Sequence, residues 1–178
     1  SCDLVQNHAF DDGGAIRNYG DMALENCSLT GNRAVSGQIV RDEGGGKTSC
    51  DGPVGGAISN GFGSLTLLHS TLVDNLAYQG GAIINLWYGK LLLIDCQLLR
   101  NRVDVAAAGE NPIFTGSGCP NGGTMNLLTG SMTMIGCQVI EGAARYAGAI
   151  WAHEAAMRIH DSDFLRNRGT VSAMYITV

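Results

Sequence analysis

Apolar residues recur along the chain in short alternating runs rather than in long blocks. Met22/Leu24, Leu65/Leu67, Leu91/Leu93, Met132/Met134 and Met157/Ile159 are pairs with one residue between them. A period of two belongs to β-strands that bury one face. Three residues after each pair stands a small residue: Cys27, Ser70, Cys96, Cys137 or Ser162, with Cys2 in the same role near the start. Two residues past these anchors lie Leu4, Leu29, Leu72, Leu98, Val139 and Phe164. Five residues past them lie Asn7, Asn32, Asn75, Asn101, Gly142 and Asn167. A glycine-rich element follows. It reads Gly13-Gly14-Ala15-Ile16, Gly55-Gly56-Ala57-Ile58 and Gly80-Gly81-Ala82-Ile83, and it weakens to Gly122-Gly123-Thr124-Met125, Ala147-Gly148-Ala149-Ile150 and Val171-Ser172-Ala173-Met174.

The period is roughly 25 residues, a length typical of stacked-repeat architectures. Each strand is too short to bury its face alone, so neighbouring repeats must close one continuous core. The pattern predicts an all-β fold, a right-handed, single-stranded parallel β-helix of six rungs forming one domain over residues 1–178; the hand is the general one for parallel crossovers. Like residues then stack in ladders about 4.8 Å apart. The Asn column is expected at a turn, where Asn tolerates a left-handed backbone and its amide reaches the rungs above and below. The glycine pairs mark a corner too tight for a side chain. They also break any 3.6-residue period, which excludes a helical repeat.

Two repeats carry long insertions, at about residues 37–54 and 104–121, both in the corner before the glycine pair. Insertions on one side of a solenoid either form a binding face or cover the wall, and both readings stand.

The joint recurrence of GGAI and of Leu4-Val-Gln-Asn7, Leu29-Thr-Gly-Asn32, Leu72-Val-Asp-Asn75, Leu98-Leu-Arg-Asn101 and Phe164-Leu-Arg-Asn167 resembles the GGAI/FxxN repeat of the chlamydial polymorphic membrane proteins and related surface β-helices. The resemblance spans nearly the whole chain. It implies a β-helix fold and a surface-exposed passenger or adhesin role. The chain departs from that family in using Leu where Phe is frequent, and it carries no membrane barrel.

Composition narrows the function classes. Charged residues make up 15% and hydrophobic ones 45%, which argues against disorder. No apolar run approaches the length of a membrane span. A net charge of -5 and only two lysines, Lys47 and Lys90, disfavour nucleic acid and anionic membranes as partners. The chain opens within a repeat and its last segment, 171–178, is apolar and uncapped, so it reads as a piece of something longer or as a unit covered by other copies.

Candidate chemistry is sparse. Cys50 and Cys119 lie in the two insertions and are the candidate disulfide, which would imply an oxidising compartment. Cys2, Cys27, Cys96 and Cys137 are expected as buried, reduced core fillers, because stacked parallel side chains rarely meet disulfide geometry. Asn26-Cys27-Ser28 is an N-glycosylation sequon, with Asn26 expected at the surface. Gly44-Gly45-Gly46-Lys47-Thr48 lacks the leading glycine of a P-loop and is read as a loop. His153, Glu154, His160, Asp161 and Asp163 cluster in sequence but read as a solvated polar face. Asp74, Arg100, Glu141 and Arg166, four residues past their anchors, alternate in sign and are expected as a ladder of ion pairs.

Apolar residues also occupy outward columns: Val5, Thr30, Val73, Leu99, Ile140 and Leu165 in one, Ile84, Asn126, Trp151 and Tyr175 in another, with Leu86, Trp87 and Tyr88 close by. Ile84, Trp87, Trp151 and Tyr175 are therefore the candidate partner contacts. The expected function is a non-enzymatic extracellular or cell-surface β-helix, structural or adhesive. It meets other protein chains, itself included, and assembles head-to-tail into a multimer or filament. No catalytic residue, metal or cofactor is assigned, and glycans are a secondary partner class. The alternative is a pectin-lyase-like carbohydrate-active enzyme or carbohydrate-binding β-helix.

Overall fold

A computed structural model describes residues 1–35, 53–103, 122–144 and 146–177. Both insertions lie outside these, apart from Pro53 and Val54, and so do Cys50, Cys119 and the glycine-rich segment 44–48. The first rung holds β1 (Cys2–Val5), β2 (His8–Ala9), β3 (Ile16–Asn18) and β4 (Asp21–Glu25). The second holds β5 (Cys27–Thr30), β6 (Arg33–Ala34), β7 (Ile58–Gly61) and β8 (Ser64–Leu68). The third holds β9 (Thr71–Val73), β10 (Leu76–Ala77), β11 (Ile83–Leu86) and β12 (Lys90–Ile94). The fourth holds β13 (Gln97–Leu99), β14 (Arg102–Val103), β15 (Met125–Leu127) and β16 (Gly130–Ile135). The fifth holds β17 (Gln138–Ile140), β18 (Ala147–His153) and β19 (Ala155–His160), and the sixth holds β20 (Asp163–Leu165) and β21 (Ser172–Thr177).

Every strand pairs in parallel with its counterpart one rung away, giving four sheets that run along the stack. The first sheet is β1-β5-β9-β13-β17-β20, the second β2-β6-β10-β14, the third β3-β7-β11-β15-β18-β21 and the fourth β4-β8-β12-β16-β19. The fold is a parallel β-helix. The alternation seen in sequence places Leu65/Leu67, Leu91/Leu93 and Met132/Met134 inward from the fourth sheet, against Leu29, Leu72, Leu98 and Val139 from the first and Ile58, Ile83 and Ile150 from the third. Burying a Leu or Ile fully contributes about 1.5–3 kcal/mol relative to exposure, so this continuous column of apolar layers dominates the stability.

The strands are joined by left-handed corner residues. One corner is the column Gln6, Gly31, Asp74, Arg100, Glu141 and Arg166, all with φ between 50° and 65°. The left-handed residue is thus the one before the Asn column, not the Asn itself as the sequence suggested. A left-handed corner turns the chain and swings the following side chain inward, and that inward side chain is the Asn.

There the amides form a ladder. Asn7 Nδ2 donates to Asn32 Oδ1 (2.9 Å), Asn32 Nδ2 to Asn75 Oδ1 (3.1 Å) and Asn75 Nδ2 to Asn101 Oδ1 (2.9 Å). Each acceptor oxygen also takes the backbone N–H of the preceding Asn. The second amide hydrogen of Asn32, Asn75 and Asn101 goes to the carbonyl of Leu4, Leu29 and Leu72. At Gly142 no side chain fits, because a Cβ would stand 2.3 Å from the Gly148 carbonyl oxygen.

A second ladder, absent from the sequence reading, runs inside the third sheet. Asn18 Nδ2 donates to Asn60 Oδ1 and Asn60 Nδ2 to Asn85 Oδ1, each at 2.7 Å. All three are buried, and Leu127 and Ala152 take their place on the next two rungs.

The anchor column does more than fill space. The hydroxyl or thiol of Cys27, Ser70, Cys96, Cys137 and Ser162 donates to the carbonyl two residues back, at 3.4, 2.7, 3.3, 3.3 and 2.8 Å. The N–H of Cys27, Cys96 and Cys137 donates to the anchor oxygen or sulfur one rung on. These bonds follow a second left-handed column, Asn26, His69, Asp95, Gly136 and Asp161. Ser and Cys interchange here because both donate and accept. Cys96 and Cys137 stand side by side in this column as free thiols, the Cys96 N–H meeting the Cys137 sulfur. The neighbouring Cys96 side chain lowers the Cys137 thiol, and the Cys137 side chain together with burial raises the Cys96 thiol. Cys27, Cys96 and Cys137 are buried and unbridged as expected, whereas Cys2, on the first rung, is exposed.

Candidate contact surface

The third corner, between the third and fourth sheets, gathers aromatic rings. Tyr19 follows β3, Phe62 follows β7, and Trp87 and Tyr88 follow β11. Phe62 stacks on Trp87 at 5.3 Å between centroids and Tyr19 on Trp87 at 6.0 Å, both with 18° between planes. Gly61 is the seat for these rings, since a Cβ there would lie 2.8 Å from the Trp87 ring and 3.0 Å from Tyr19. The Arg17 guanidinium sits 5.1 Å from the Tyr19 ring centre and donates to its hydroxyl at 2.8 Å. Arg17 also faces Asp11 and Asp12 at 3.6 and 3.3 Å. Burial raises the Asp12 carboxyl above its ordinary value, the neighbouring Asp11 charge adds to that, and Arg17 opposes it.

The backbone that carries the rings is costly. Trp87 and Tyr88 have φ of 48° and 64°, and the Gly89 N–H closes on the Leu86 carbonyl at 2.9 Å. Two consecutive positive φ values in a four-residue turn are the pattern that Asn-Gly adopts at least cost. A left-handed backbone costs roughly 1–2 kcal/mol for an ordinary residue. Phe62 is also left-handed. Yet Phe62 is 68% exposed and Tyr88 76%, so neither recovers that cost through burial.

The expected contact residues divide. Trp87 and Tyr175 are exposed. Ile84 is 0% exposed, covered with Leu86 by Val54 and Leu128 in a small apolar cluster on the outer side of the third sheet. Trp151 is buried and stacks with Tyr175 at 6.5 Å. The outward position of this sheet therefore did not make Ile84 or Trp151 a surface residue. Tyr19 and Phe62, not singled out from sequence, join Trp87 and its neighbour Tyr88 at this exposed corner. The signal for these two was the column they share with Trp87, an aromatic just beyond the glycine-rich element in each of three consecutive repeats.

The remaining candidates are placed as follows. Asn26 is exposed at a left-handed corner with its N–H bonded to the Leu68 carbonyl. His153 bonds the Thr177 hydroxyl at 2.7 Å and lies 3.7 Å from Glu154, while His160, Asp161 and Asp163 sit at the next corner, so the run does not converge. Among the described residues no group of three or more His, Cys, Asp or Glu side chains is placed to hold a metal ion. Arg100 grips Asp74 with two bonds, at 2.8 and 2.9 Å, and Arg166 meets Glu141 at 3.0 Å. The Arg100 hydrogen bond lowers the Asp74 carboxyl below its ordinary range. No helix among the described residues is long and apolar enough to cross a membrane.

No family model, curated protein or solved structure matches the chain.

Proposed function

We propose that this β-helix is a non-enzymatic structural or adhesive module of an extracellular or cell-surface protein, and that it meets other protein chains, a second copy first, through the corner of Tyr19, Phe62, Trp87 and Tyr88. The observation that carries the reading is the Trp87-Tyr88 turn. A β-helix needs a left-handed corner there, but stability alone favours Gly, Asn or Asp in it. Displaying two aromatic side chains instead works against the free fold: Trp87 recovers part of that cost by stacking on Tyr19 and Phe62, whereas the largely exposed Tyr88 recovers it only on contact with something else. Aromatic residues are enriched in protein interfaces, where they supply much of the binding energy.

A second exposed apolar set, Val171, Tyr175 and Ile176, lies on the sixth rung. Contact between two different surfaces of one molecule is heterologous and propagates unless it closes into a ring. The repeat's resemblance to polymorphic-membrane-protein passengers supports a surface location.

Sedimentation velocity at micromolar concentration tests this. The chain is expected to associate with rising concentration, and Trp87→Ala to shift it toward monomer while it stays folded by circular dichroism. A wild-type chain that stays monomeric, with tryptophan fluorescence that responds to soluble oligosaccharides, would overturn the reading in favour of a carbohydrate-binding β-helix.

A further inference from the structure

The anchor column holds a second pair of stacked cysteines, on the first two rungs described. Cys2 and Cys27 are in-register partners on the parallel strands β1 and β5. Neighbouring strands lie about 4.8 Å apart, inside the range of roughly 4.4–6.8 Å between Cα atoms that a disulfide spans. Their sulfur atoms are 2.6 Å apart, only about half an ångström beyond a disulfide bond length. Both are free thiols. Their access differs, Cys2 being exposed and Cys27 buried. The other in-register cysteines, Cys96 and Cys137, are both buried, and each thiol donates to the carbonyl of its own corner. Cys27 makes the same carbonyl bond, to Glu25, and its sulfur also meets that of Cys2.

We propose that Cys2 and Cys27 are an oxidation site, forming an inter-rung disulfide that staples β1 to β5 when the protein meets a small-molecule disulfide such as glutathione disulfide. The exposed Cys2 loses its proton to water and its thiolate attacks one sulfur of the oxidant. This forms a mixed disulfide and releases one thiolate. The Cys27 sulfur, already against Cys2, loses its proton and attacks the Cys2 sulfur. The Cys2–glutathione bond breaks, and the second thiolate leaves. The two cysteines are oxidised by two electrons, the oxidant is reduced to two thiols, and the two protons pass to the departing thiolates. Only Cys2 has to meet the oxidant, so the burial of Cys27 does not block the reaction.

Peptide mapping of the intact, folded chain after incubation with glutathione disulfide and acid quenching with N-ethylmaleimide tests this. The Cys2 peptide is expected to be joined to the Cys27 peptide, two hydrogens lighter than their sum, with Cys96 and Cys137 alkylated only after unfolding. The melting temperature is expected to rise on oxidation and to return with dithiothreitol. Cys27→Ser is expected to halt at the Cys2–glutathione mixed disulfide, and Cys96→Ser to staple like the wild type. A wild-type protein that also halts at the mixed disulfide, or that joins Cys2 to Cys27 only in denaturant, would overturn the proposal.

Discussion

A single Ser shows how the corner works. Ser70 donates to the Leu68 carbonyl and accepts the Cys27 N–H. Ser70→Ala leaves both groups without that partner and is expected to cost about 1–3 kcal/mol in urea unfolding. Ser70→Cys keeps a donor and an acceptor and should cost less. If the two variants melt alike, the column is only filler. Asn75 sits where charge sign can be tested. In Asn75→Asp an oxygen replaces Nδ2 and faces the Asn101 and Leu29 oxygens that Nδ2 now serves. That burial and repulsion raise the folded-state pKa of the new carboxyl. Below the unfolded value the carboxyl is neutral in both states. As pH rises from there through the raised folded value the native state holds more protons than the unfolded one, so stability falls with pH. Denaturation midpoints at pH 3 and pH 7 check the sign. Asp74 runs the other way: lowered by Arg100, it stabilises above the unfolded value and loses that contribution as pH falls. Because the pair is half-exposed, Asp74→Asn is expected to cost less than about 1 kcal/mol.

At the scale of the element, the corners decide what each rung tolerates. Gly81 lies so close to the next rung that an added Cβ would stand 2.3 Å from the Gly123 carbonyl oxygen and 2.4 Å from the Arg102 nitrogen. Gly20 has nothing within 4 Å. Gly81→Ala is therefore expected to lower the melting temperature sharply and Gly20→Ala to leave it nearly unchanged. The Trp87-Tyr88 turn separates folding from contact. Tyr88→Gly relieves a left-handed strain of roughly 1–2 kcal/mol at some entropic cost, so it should raise the melting temperature while weakening self-association. A variant that loses stability instead would make Tyr88 a structural residue.

The strands themselves were legible, because period-two alternation and the anchors recur in phase. The left-handed corners were not. Phe62, Trp87 and Arg166 carry no local preference for positive φ, and only the stacking of rungs imposes it. The second amide ladder was written plainly as GGAI-x-Asn in Asn18, Asn60 and Asn85. A polar residue within a strand reads as outward, and that hides the column in the sequence. Its replacement by Leu127 and Ala152 later in the chain also interrupts the column.

Across the whole molecule, stability should be graded. Each rung touches only its neighbours, so a solenoid behaves as a row of coupled units. The amides of Asn32 and Asn75 are buried and bonded to the next rung, whereas most of β21 is exposed. Hydrogen exchange is expected to be slowest at Asn32, Leu72, Asn75 and Leu98 and fastest along β21. Uniform protection from first rung to sixth would contradict that gradient.

The two amide ladders carry one more implication. Asn32, Asn75 and Asn101 each turn Oδ1 toward the earlier rung, and Asn60 and Asn85 do the same in the other column. The amide dipoles thus add rather than cancel, and hydrogen bonds in such chains polarise one another. The rod has an electrical direction as well as a geometric one. Oxygen character gathers toward the first rung and N–H character toward the later ones, much as peptide dipoles sum along a helix. Reversing one amide would set oxygen against oxygen on one side and NH2 against NH2 on the other, so each column keeps or loses its orientation as a unit.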